Sequence, residues 1–321
     1  MPKVSVIIPV YGVEKYIERC ARSLFEQSLD DMEYIFVDDC SPDKSIEILM
    51  RLIDEYRPRF AREQKSVRIE RMPTNCGLPA VRRHGIQLCT GEYITHCDSD
   101  DWVDIDMYSQ MYNKAIIDNS DAVICDYVLT NGVSSIDIIR SCHADTPLKE
   151  IENCLLQRDP WSLCNKLFRK KVYSNIEYPK GAMGEDMATT IQLLWNCSSL
   201  SYISKPFYNY YYNPESITKK LTRENCINRF EQLSKNADIV LNFLKKNNIK
   251  IFDEELVVYK NFIRSVLYPL VYDRKYYAMW NKMFADLNKQ ALLSSKVSVL
   301  EKIRIILTML HLYPRKRDWA I

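Results

Sequence analysis

Residues 92–102 read EYITHCDSDDW, and this stretch decides how the chain is expected to fold. Its first six residues, 92–97, predict a short strand. Three carboxylates follow directly, at Asp98, Asp100 and Asp101, with Ser99 between the first two. In open sheets of parallel strands, ligands bind beyond the carboxyl ends of the strands. The acidic cluster is therefore placed where such a sheet would hold a ligand.

Upstream of this stretch, apolar strands alternate with helices. Apolar runs predict strands over 4–10, 34–37 and 67–69, and apolar residues at helical spacing predict a helix after each of them. This alternation predicts a parallel sheet with helices on both sides. The residues that follow the first two strands are Tyr11 and the pair Asp38-Asp39, so they are expected at the same edge as the acidic cluster.

Downstream, the pattern is mixed and then helical. We predict helices over 104–119 and 185–195 and strands over 122–129 and 207–212. From about 222 onward the periodicity is helical in several segments, without a glycine. The chain is thus expected to have a domain over 1–220 and a helical C-terminal region over 221–321.

Composition and charge exclude several classes of protein. Of the 321 residues, 47% are apolar and 27% charged, as in a folded globular protein, and the net charge of +2 gives no general attraction to nucleic acid. Eleven cysteines without a CxxC pair, together with only four histidines, argue against a zinc site. They predict reduced thiols in a cytoplasmic protein.

Glycine is scarce, and its scarcity limits how phosphate could be bound. The chain has only seven glycines, and the segment after the first strand, PVYGVEKY, contains one. It therefore lacks the G-x-G-x-x-G pattern of dinucleotide sites, and no P-loop pattern occurs elsewhere. A phosphate ligand would have to be held by other chemistry.

The acidic cluster suggests a cation. Three carboxylates within four residues repel one another unless a cation neutralises them, and such hard oxygen ligands suit Mg²⁺ or Mn²⁺. The alternative is a solvated turn that caps the helix expected from Asp104. For Asp38-Asp39, the alternatives are a cap of the following helix and a carboxylate that accepts a hydrogen bond from a base, with Tyr11 stacking on that base.

The segments that carry these residues resemble the family 2 glycosyltransferases, which have the GT-A fold. The resemblance covers VSVIIPVYGVEKYIERCARSLFEQSL, EYIFVDDCSPDKS and NCGLPAVRRHGIQLCTGEYITHCDSDDW, and continues in WSLCNKLFRKKVY, GEDMATTIQLL and FYNYYYNPESIT to about residue 218. It implies an α/β fold with a Rossmann-like, mainly parallel sheet. It also implies a nucleotide-sugar half over 1–105 and an acceptor and base half over 106–220.

The resemblance also implies roles for individual residues. Tyr11, next to Pro9 in the PVY segment, would stack on a uracil, and Asp39 would hydrogen-bond the base. Arg82, in the helix after Gly77, would lie near the base or the phosphates. In the acidic cluster, Asp98 and Ser99 would lie at the ribose and metal region. Asp98 and Asp100 would be the ligands of Mn²⁺ or Mg²⁺. Asp186 would be the general base, and Glu185, Asp101 and Trp161 would support the site.

These roles describe an inverting glycosyltransferase that uses a nucleotide-diphosphate sugar, expected to be a UDP-sugar. The acceptor would be a hydroxyl of a growing polysaccharide or of a lipid-linked saccharide. Two alternatives remain open: an inactive relative that serves as a binding or scaffold protein, and a sugar-nucleotide pyrophosphorylase. The second would need a glycine-rich basic loop after the first strand, which PVYGVEKY does not provide.

The C-terminal segment is apolar and ends in basic residues. Residues 299–313 are followed by Arg315, Lys316 and Arg317. Fifteen helical residues span only ~22 Å, too short to cross a membrane. The segment is expected either to pack on its own domain or to lie on anionic lipid as an interfacial helix over 299–317. The enzyme would accordingly be cytoplasmic, either free or peripheral at the inner face of the membrane.

Overall fold

The computed structural model describes residues 1–213, 222–247, 252–284 and 286–313, and the chain forms two compact units. The first unit consists of Met1–Ile151, Asp159–Tyr178 and Thr189–Asn213. The second consists of Glu152–Arg158, Pro179–Ala188 and the chain from Pro214 onward. The expected boundary near residue 220 stays a prediction, and the second unit also takes in two short earlier segments.

Within the described residues, nine strands form one sheet in the first unit. In chain order the strands are β1 Val4–Val10, β2 Met32–Asp38, β3 Ser66–Arg71, β4 Tyr93–His96, β5 Trp102–Val103, β6 Ala122–Thr130, β7 Ser135–Ile139, β8 Lys166–Arg169 and β9 Leu200–Tyr211. They follow the order β3-β2-β1-β4-β8-β6-β9-β5, with β7 paired to β6. The four strands predicted upstream of the acidic cluster are all present.

The sheet has a parallel part and a mixed part. β3, β2, β1 and β4 are parallel neighbours, whereas β8 runs antiparallel to both β4 and β6. β9 is parallel to β6 and antiparallel to β5. The strand ends that carry the candidate nucleotide residues therefore belong to the parallel part, as the strand–helix alternation predicted.

Helices cover the sheet and form the second unit. Those up to residue 196 are α1 Ile17–Phe25, α2 Ser45–Glu63, α3 Leu78–Leu88, α4 Met107–Ile117, α5 Pro147–Leu155 and α6 Glu185–Asn196. The later ones are α7 Arg223–Lys246, α8 Asp253–Ser265, α9 Arg274–Lys282, α10 Leu287–Leu293 and α11 Val299–Met309. The helical pattern predicted after residue 222 is thus confirmed for the described residues.

Burial explains which apolar residues form the cores. In α1, Ile17, Cys20, Ala21 and Leu24 lie on one face and are fully buried in the core of the first unit. The second unit has a separate core around the buried Trp280. Within the described ranges, no helix combines the length and the apolar character required to span a membrane.

Three short strands, β5, β7 and β8, were not predicted. β8 shows the reason most clearly, because Lys166 is a charged residue at the start of a strand of only four residues. Its side chain is buried, and the ammonium donates to the carbonyl oxygens of Pro160 and Ser162 at 2.9 Å each. A lysine at a buried position interrupts the apolar pattern that is expected of a buried strand. The strand could therefore not be identified from hydrophobic periodicity.

Candidate active site

The ends of β1 and β2 bring Tyr11 and Asp39 next to each other. Val10 is paired with Asp38 in the sheet, and the backbone N–H of Asp39 donates to the carbonyl of Val10 at 3.0 Å. Pro9 lies half-buried one position earlier in β1. Tyr11 follows the strand and is 53% exposed, so its ring is accessible to a planar ligand.

Asp39 is buried, and its carboxylate fastens the loop that precedes α3. One oxygen accepts the backbone N–H of Cys76 at 2.7 Å, and the other accepts that of Gly77 at 2.9 Å. A carboxylate has about four lone-pair positions, so these two bonds leave capacity for a further donor. Asp39 therefore positions the start of α3 and retains the ability to accept a hydrogen bond from a base.

The loops after β1 and β2 are tied together by a network around Asp43. The N–H of Gly12 donates to the Ser41 hydroxyl at 2.9 Å, and that of Glu14 donates to Asp43 at 2.9 Å. Burial raises the pKa of Asp43, but hydrogen bonds from the Ser45 and Ser41 hydroxyls and from the backbone outweigh burial and lower it to about 2. The loop that carries Tyr11 is thereby held against the loop that carries Asp39.

Arg82 and Asp98 form an ion pair beside the end of β4. Arg82 is buried in α3, and its guanidinium donates to Asp98 Oδ1 at 2.7 Å. His96 lies in β4, and burial together with the Arg82 charge holds its pKa well below the usual value. His96 is therefore neutral at physiological pH, and Arg82 provides the positive charge that balances Asp98.

Asp101 is bound by strand β9. Its Oδ2 accepts the hydroxyl of Tyr208 at 2.6 Å, and its Oδ1 accepts the backbone N–H of Tyr211 at 2.7 Å. The Tyr208 oxygen in turn accepts the N–H of Asp98 at 3.1 Å. Both Asp101 and Tyr208 are fully buried, so Tyr208 links the two ends of the acidic cluster and fixes its backbone.

Asp100 lies between these anchored residues and is less deeply buried. Arg19, on α1, donates to the carbonyl oxygen of Asp100 at 3.0 Å, while its guanidinium lies 3.7 Å from the centroid of the Trp102 ring. Burial, and after it the charge of Asp98, raise the pKa of the Asp100 carboxyl to about 6. The backbone of the cluster is thus held from α1 and β9, and its carboxylates disfavour one another's ionisation.

The donor set fits a hard divalent cation that also binds phosphate. Asp98 and Asp100 supply carboxylate oxygens, and a cation would relieve their mutual repulsion. Within the described part of the chain, no group of three or more histidine, cysteine, aspartate or glutamate side chains could by itself hold a metal ion. Mg²⁺ and Mn²⁺ commonly complete their coordination with water and substrate phosphates, so two carboxylates are sufficient for such a site.

We expect Tyr208→Phe to lower stability and to weaken binding of UDP, the nucleotide expected from the sequence resemblance. The change leaves a buried carboxylate oxygen of Asp101 and the N–H of Asp98 without the hydroxyl that joins them, which costs about 1–3 kcal/mol per unsatisfied group. Thermal unfolding and UDP calorimetry would measure the two effects. Tyr210→Phe, which removes a hydroxyl from a partly exposed ring on the same strand, is the matched control. Equal behaviour of the two variants would show that the hydroxyl does not position the cluster.

Glu185 and Asp186 begin α6 and belong to the second unit. Glu185 is buried and Asp186 is half-buried. Both carboxylates lie in the first turn of the helix. The role of Asp186 as general base stays a prediction.

The loop before α6 is fastened to α7. Asn236, fully buried on α7, donates to the carbonyl oxygens of Gly181 at 2.6 Å and Met183 at 2.8 Å. Gly184 has a φ of +74°, and a Cβ atom at this position would lie 2.6 Å from a methyl group of Leu233. Only glycine combines this left-handed conformation with so close a contact. The position of the acidic pair at the start of α6 thus depends on helix α7.

The aromatic side chains of β9 and its neighbourhood in the chain differ in exposure. Trp161 is half-buried in the first unit, and its carbonyl accepts the hydroxyl of Thr190 at 2.7 Å. Tyr208 is buried, whereas Tyr210 and Tyr212 are partly exposed. The anchoring role of Tyr208 was missed, as was that of Arg19, because no local sequence signal distinguishes a buried tyrosine that packs from one that binds a carboxylate.

The chain is similar in sequence to known glycosyltransferases. Residues 5–176 match the family model described as Glycosyl transferase family 2. EpsH of Bacillus subtilis (strain 168), which is named as a glycosyltransferase, is 30% identical over 256 residues, covering 77% of this chain and 70% of that protein. The cholesterol galactosyltransferase of Borreliella burgdorferi is 27% identical over 317 residues, covering 94% of this chain and 83% of that protein.

A solved structure gives the same fold. TarS residues 1–349 of S. aureus, crystallised in complex with UDP, superimpose with a TM-score of 0.67 at 21% identity. The superposition covers 97% of this chain and 88% of the TarS chain. The architecture of α/β sheet and C-terminal helices is thus shared with a known nucleotide-binding protein along almost the entire chain.

Proposed function

Since the chain belongs to glycosyl transferase family 2 and is a glycosyltransferase, we propose a specific transfer reaction for it. In this reaction, a sugar passes from a UDP-sugar to an acceptor hydroxyl with inversion at the anomeric carbon. The observation that carries the proposal is the grouping of residues at the carboxyl ends of three adjacent parallel strands. Tyr11 follows β1, Asp39 follows β2, and the acidic cluster that begins at Asp98 follows β4.

In this proposal the nucleoside binds at the ends of β1 and β2. The exposed ring of Tyr11 stacks on the base, and the remaining lone pairs of Asp39 accept a base N–H. Since Asp39 already fastens the start of α3, base recognition and the position of Arg82 on that helix are coupled. The complex of TarS with UDP supports UDP as the nucleotide, because TarS has the same fold.

The diphosphate then lies beside the acidic cluster. Asp98 and Asp100 would hold Mn²⁺ or Mg²⁺, and Ser99 and Asp98 would contact the ribose, as the family resemblance implies. A bound cation would act as a Lewis acid on the diphosphate and offset the charge of the leaving group. Arg82 holds Asp98 in place through their ion pair and adds positive charge near the phosphates.

The chemical step requires one proton acceptor. The acceptor hydroxyl attacks the anomeric carbon from the face opposite the diphosphate, so a new C–O bond forms as the bond to the diphosphate breaks. The hydroxyl proton passes to the Asp186 carboxylate, and the nucleoside diphosphate leaves. General-base catalysis of this kind contributes ~10²–10⁴-fold to the rate. Glu185, Asp101 and Trp161 support the site without taking part in proton transfer.

The acceptor is proposed to be a hydroxyl of a growing polysaccharide or of a lipid-linked saccharide. The relative from Borreliella burgdorferi, which matches 94% of this chain, is named for the transfer of galactose to cholesterol, so a related protein uses a membrane lipid as acceptor. The eleven cysteines without a CxxC pair predict reduced thiols, and we propose a cytoplasmic site of action.

Tyr11→Ala is expected to weaken UDP binding by about 5- to 150-fold, because stacking of a base on an aromatic ring contributes ~1–3 kcal/mol. Calorimetry with UDP and Mn²⁺ measures the effect, and Tyr272→Ala removes an exposed ring of the second unit as a control. If wild-type protein binds GDP and not UDP, the donor assignment is wrong while the transferase class stands. If no nucleotide diphosphate binds with or without Mn²⁺, the proposed donor site is wrong.

A further inference from the structure

One side of helix α11 packs against the second unit, and the opposite side is exposed. Ile305 and Thr308 are fully buried against the unit, and Glu301 lies on the same side. The helix begins at a capping residue, Ser298, whose hydroxyl accepts the N–H of Glu301 at 3.3 Å. Both the start of the helix and its inward side are therefore defined.

The Glu301 carboxylate fixes the rotation of α11 about its axis. Oε1 accepts the side-chain amide of Asn261 at 2.8 Å and the hydroxyl of Tyr268 at 2.7 Å, and Oε2 pairs with Arg304 at 3.1 Å. Asn261 and Tyr268 are buried, so rotating the helix would break hydrogen bonds inside the unit. Glu301 is also the one acidic residue of segment 299–313, and it points away from the outward side.

The outward side of α11 is apolar and exposed. Five large side chains on it are between 43% and 74% exposed: Val299, Leu300, Ile303, Ile306 and Leu310. By helical geometry, Lys302 borders this face on one side and Arg304 on the other. The sequence continues after Tyr313 with Arg315, Lys316 and Arg317, which lie outside the described residues. An apolar face with basic residues at its edges is typical of helices that lie on a membrane surface.

We propose that this face of α11 docks the enzyme onto an anionic lipid surface. A second copy of the chain fits the face less well, because an eleven-residue helix is only about 16 Å long and one side of it is much smaller than the ~800 Å² per partner of a stable interface. Segment 299–317 carries five basic residues and one acidic residue, and that acidic residue is turned inward. Lipid headgroups supply the missing negative charge, and the acyl region takes up the apolar side chains.

The inference is independent of the proposed transfer reaction. The helix belongs to the second unit, and no residue of the donor site lies on it. Variants of the exposed face should therefore retain the UDP affinity of the wild type, and thermal unfolding shows that they are folded. If the wild type does not bind UDP, the proposed function is contradicted. The proposed lipid contact of α11 is then tested by vesicle binding alone.

The test is co-sedimentation of the full chain with vesicles of phosphatidylcholine, with and without 30% phosphatidylglycerol. Wild-type protein is expected to bind the anionic vesicles and to be released by high salt. The double substitution I303Q/I306Q is expected to lower the partition coefficient at least about tenfold, because two large apolar side chains no longer enter the bilayer surface. The triple substitution R315Q/K316Q/R317Q is expected to lower binding to anionic vesicles by about fivefold per residue.

The control I117Q/V133Q makes the same kind of change at two exposed apolar positions of the first unit and should bind like the wild type. Three results would overturn the proposal. The wild type could fail to bind either vesicle, or I303Q/I306Q could bind as well as the control. Alternatively, analytical ultracentrifugation could show a wild-type dimer that I303Q/I306Q converts to a monomer, which would assign the face to a second copy.

Discussion

Replacing Asp186 by asparagine is expected to lower kcat for sugar transfer by ~10²–10⁴-fold while UDP affinity stays unchanged. Asparagine has nearly the same shape as aspartate but cannot take up the proton of the attacking hydroxyl. Asp186 lies in the first turn of α6, next to a loop that Asn236 fastens from α7, so the substitution should leave the local backbone in place. Turnover is measured with a donor identified by nucleotide binding, and UDP affinity by calorimetry.

The control is Asp253→Asn, which makes the same change in the first turn of α8, at an exposed position of the second unit. It removes one negative charge from a helix N-terminus, as Asp186→Asn does, and should retain full activity. If Asp186→Asn turns over like the control, Asp186 is not the base. If the wild-type protein binds UDP-sugars but transfers no sugar to any acceptor or to water, the inactive binding protein becomes the correct interpretation.

The second large effect is expected for Asp100→Ala, which should remove most of the gain in UDP affinity that Mn²⁺ provides. Substituting a residue that hydrogen-bonds a metal ligand typically lowers metal affinity about 10–100-fold, so substituting the ligand itself should lower it at least as much. The fold should tolerate the change, because Arg19 binds the backbone carbonyl of Asp100 and not its side chain. Calorimetry of UDP with and without Mn²⁺ gives the metal-dependent part directly.

Asp54→Ala is the matched control, because it removes an exposed carboxylate of α2 that forms only a surface ion pair with Arg57. The metal-dependent gain should be unchanged in this variant. UDP affinity that is insensitive both to Mn²⁺ and to Asp100→Ala would contradict the proposed metal site. The acidic cluster would then be a hydrogen-bonded turn with a structural role only.

The comparison of β4 with β9 shows which strands can be predicted from local sequence patterns. β4 was predicted within residues 92–97, and its four residues are all buried because it lies in the middle of the sheet, between β1 and β8. β9 runs from Leu200 to Tyr211, but only its second half was predicted. Its first half includes half-buried and exposed positions, and its pairing partner β6 is about eighty residues earlier in the chain. Such pairing depends on contacts that a local pattern does not encode.

Some features of the candidate site were likewise predicted from local sequence, and others were not. Tyr11, Asp39 and the acidic cluster were predicted because each directly follows a strand, and strands in parallel register place their ends together. The hydrogen-bond partners of the two aspartates at the ends of the cluster could not be predicted. Asp98 pairs with Arg82 from α3, and Asp101 is bound by Tyr208 from a strand more than a hundred residues later.

The sequence by itself determined the strand–helix alternation, the edge of the sheet that carries the candidate nucleotide residues, and the family. These properties depend on hydrophobic periodicity and on residues that are neighbours in the chain. The tertiary structure alone decided that Asp101 is an anchoring residue, because antiparallel pairing of β5 with β9 brings Tyr208 opposite Val103. It also decided which side of α11 is exposed, because the inward hydrogen bonds of Glu301 come from Asn261 and Tyr268, far away in the sequence.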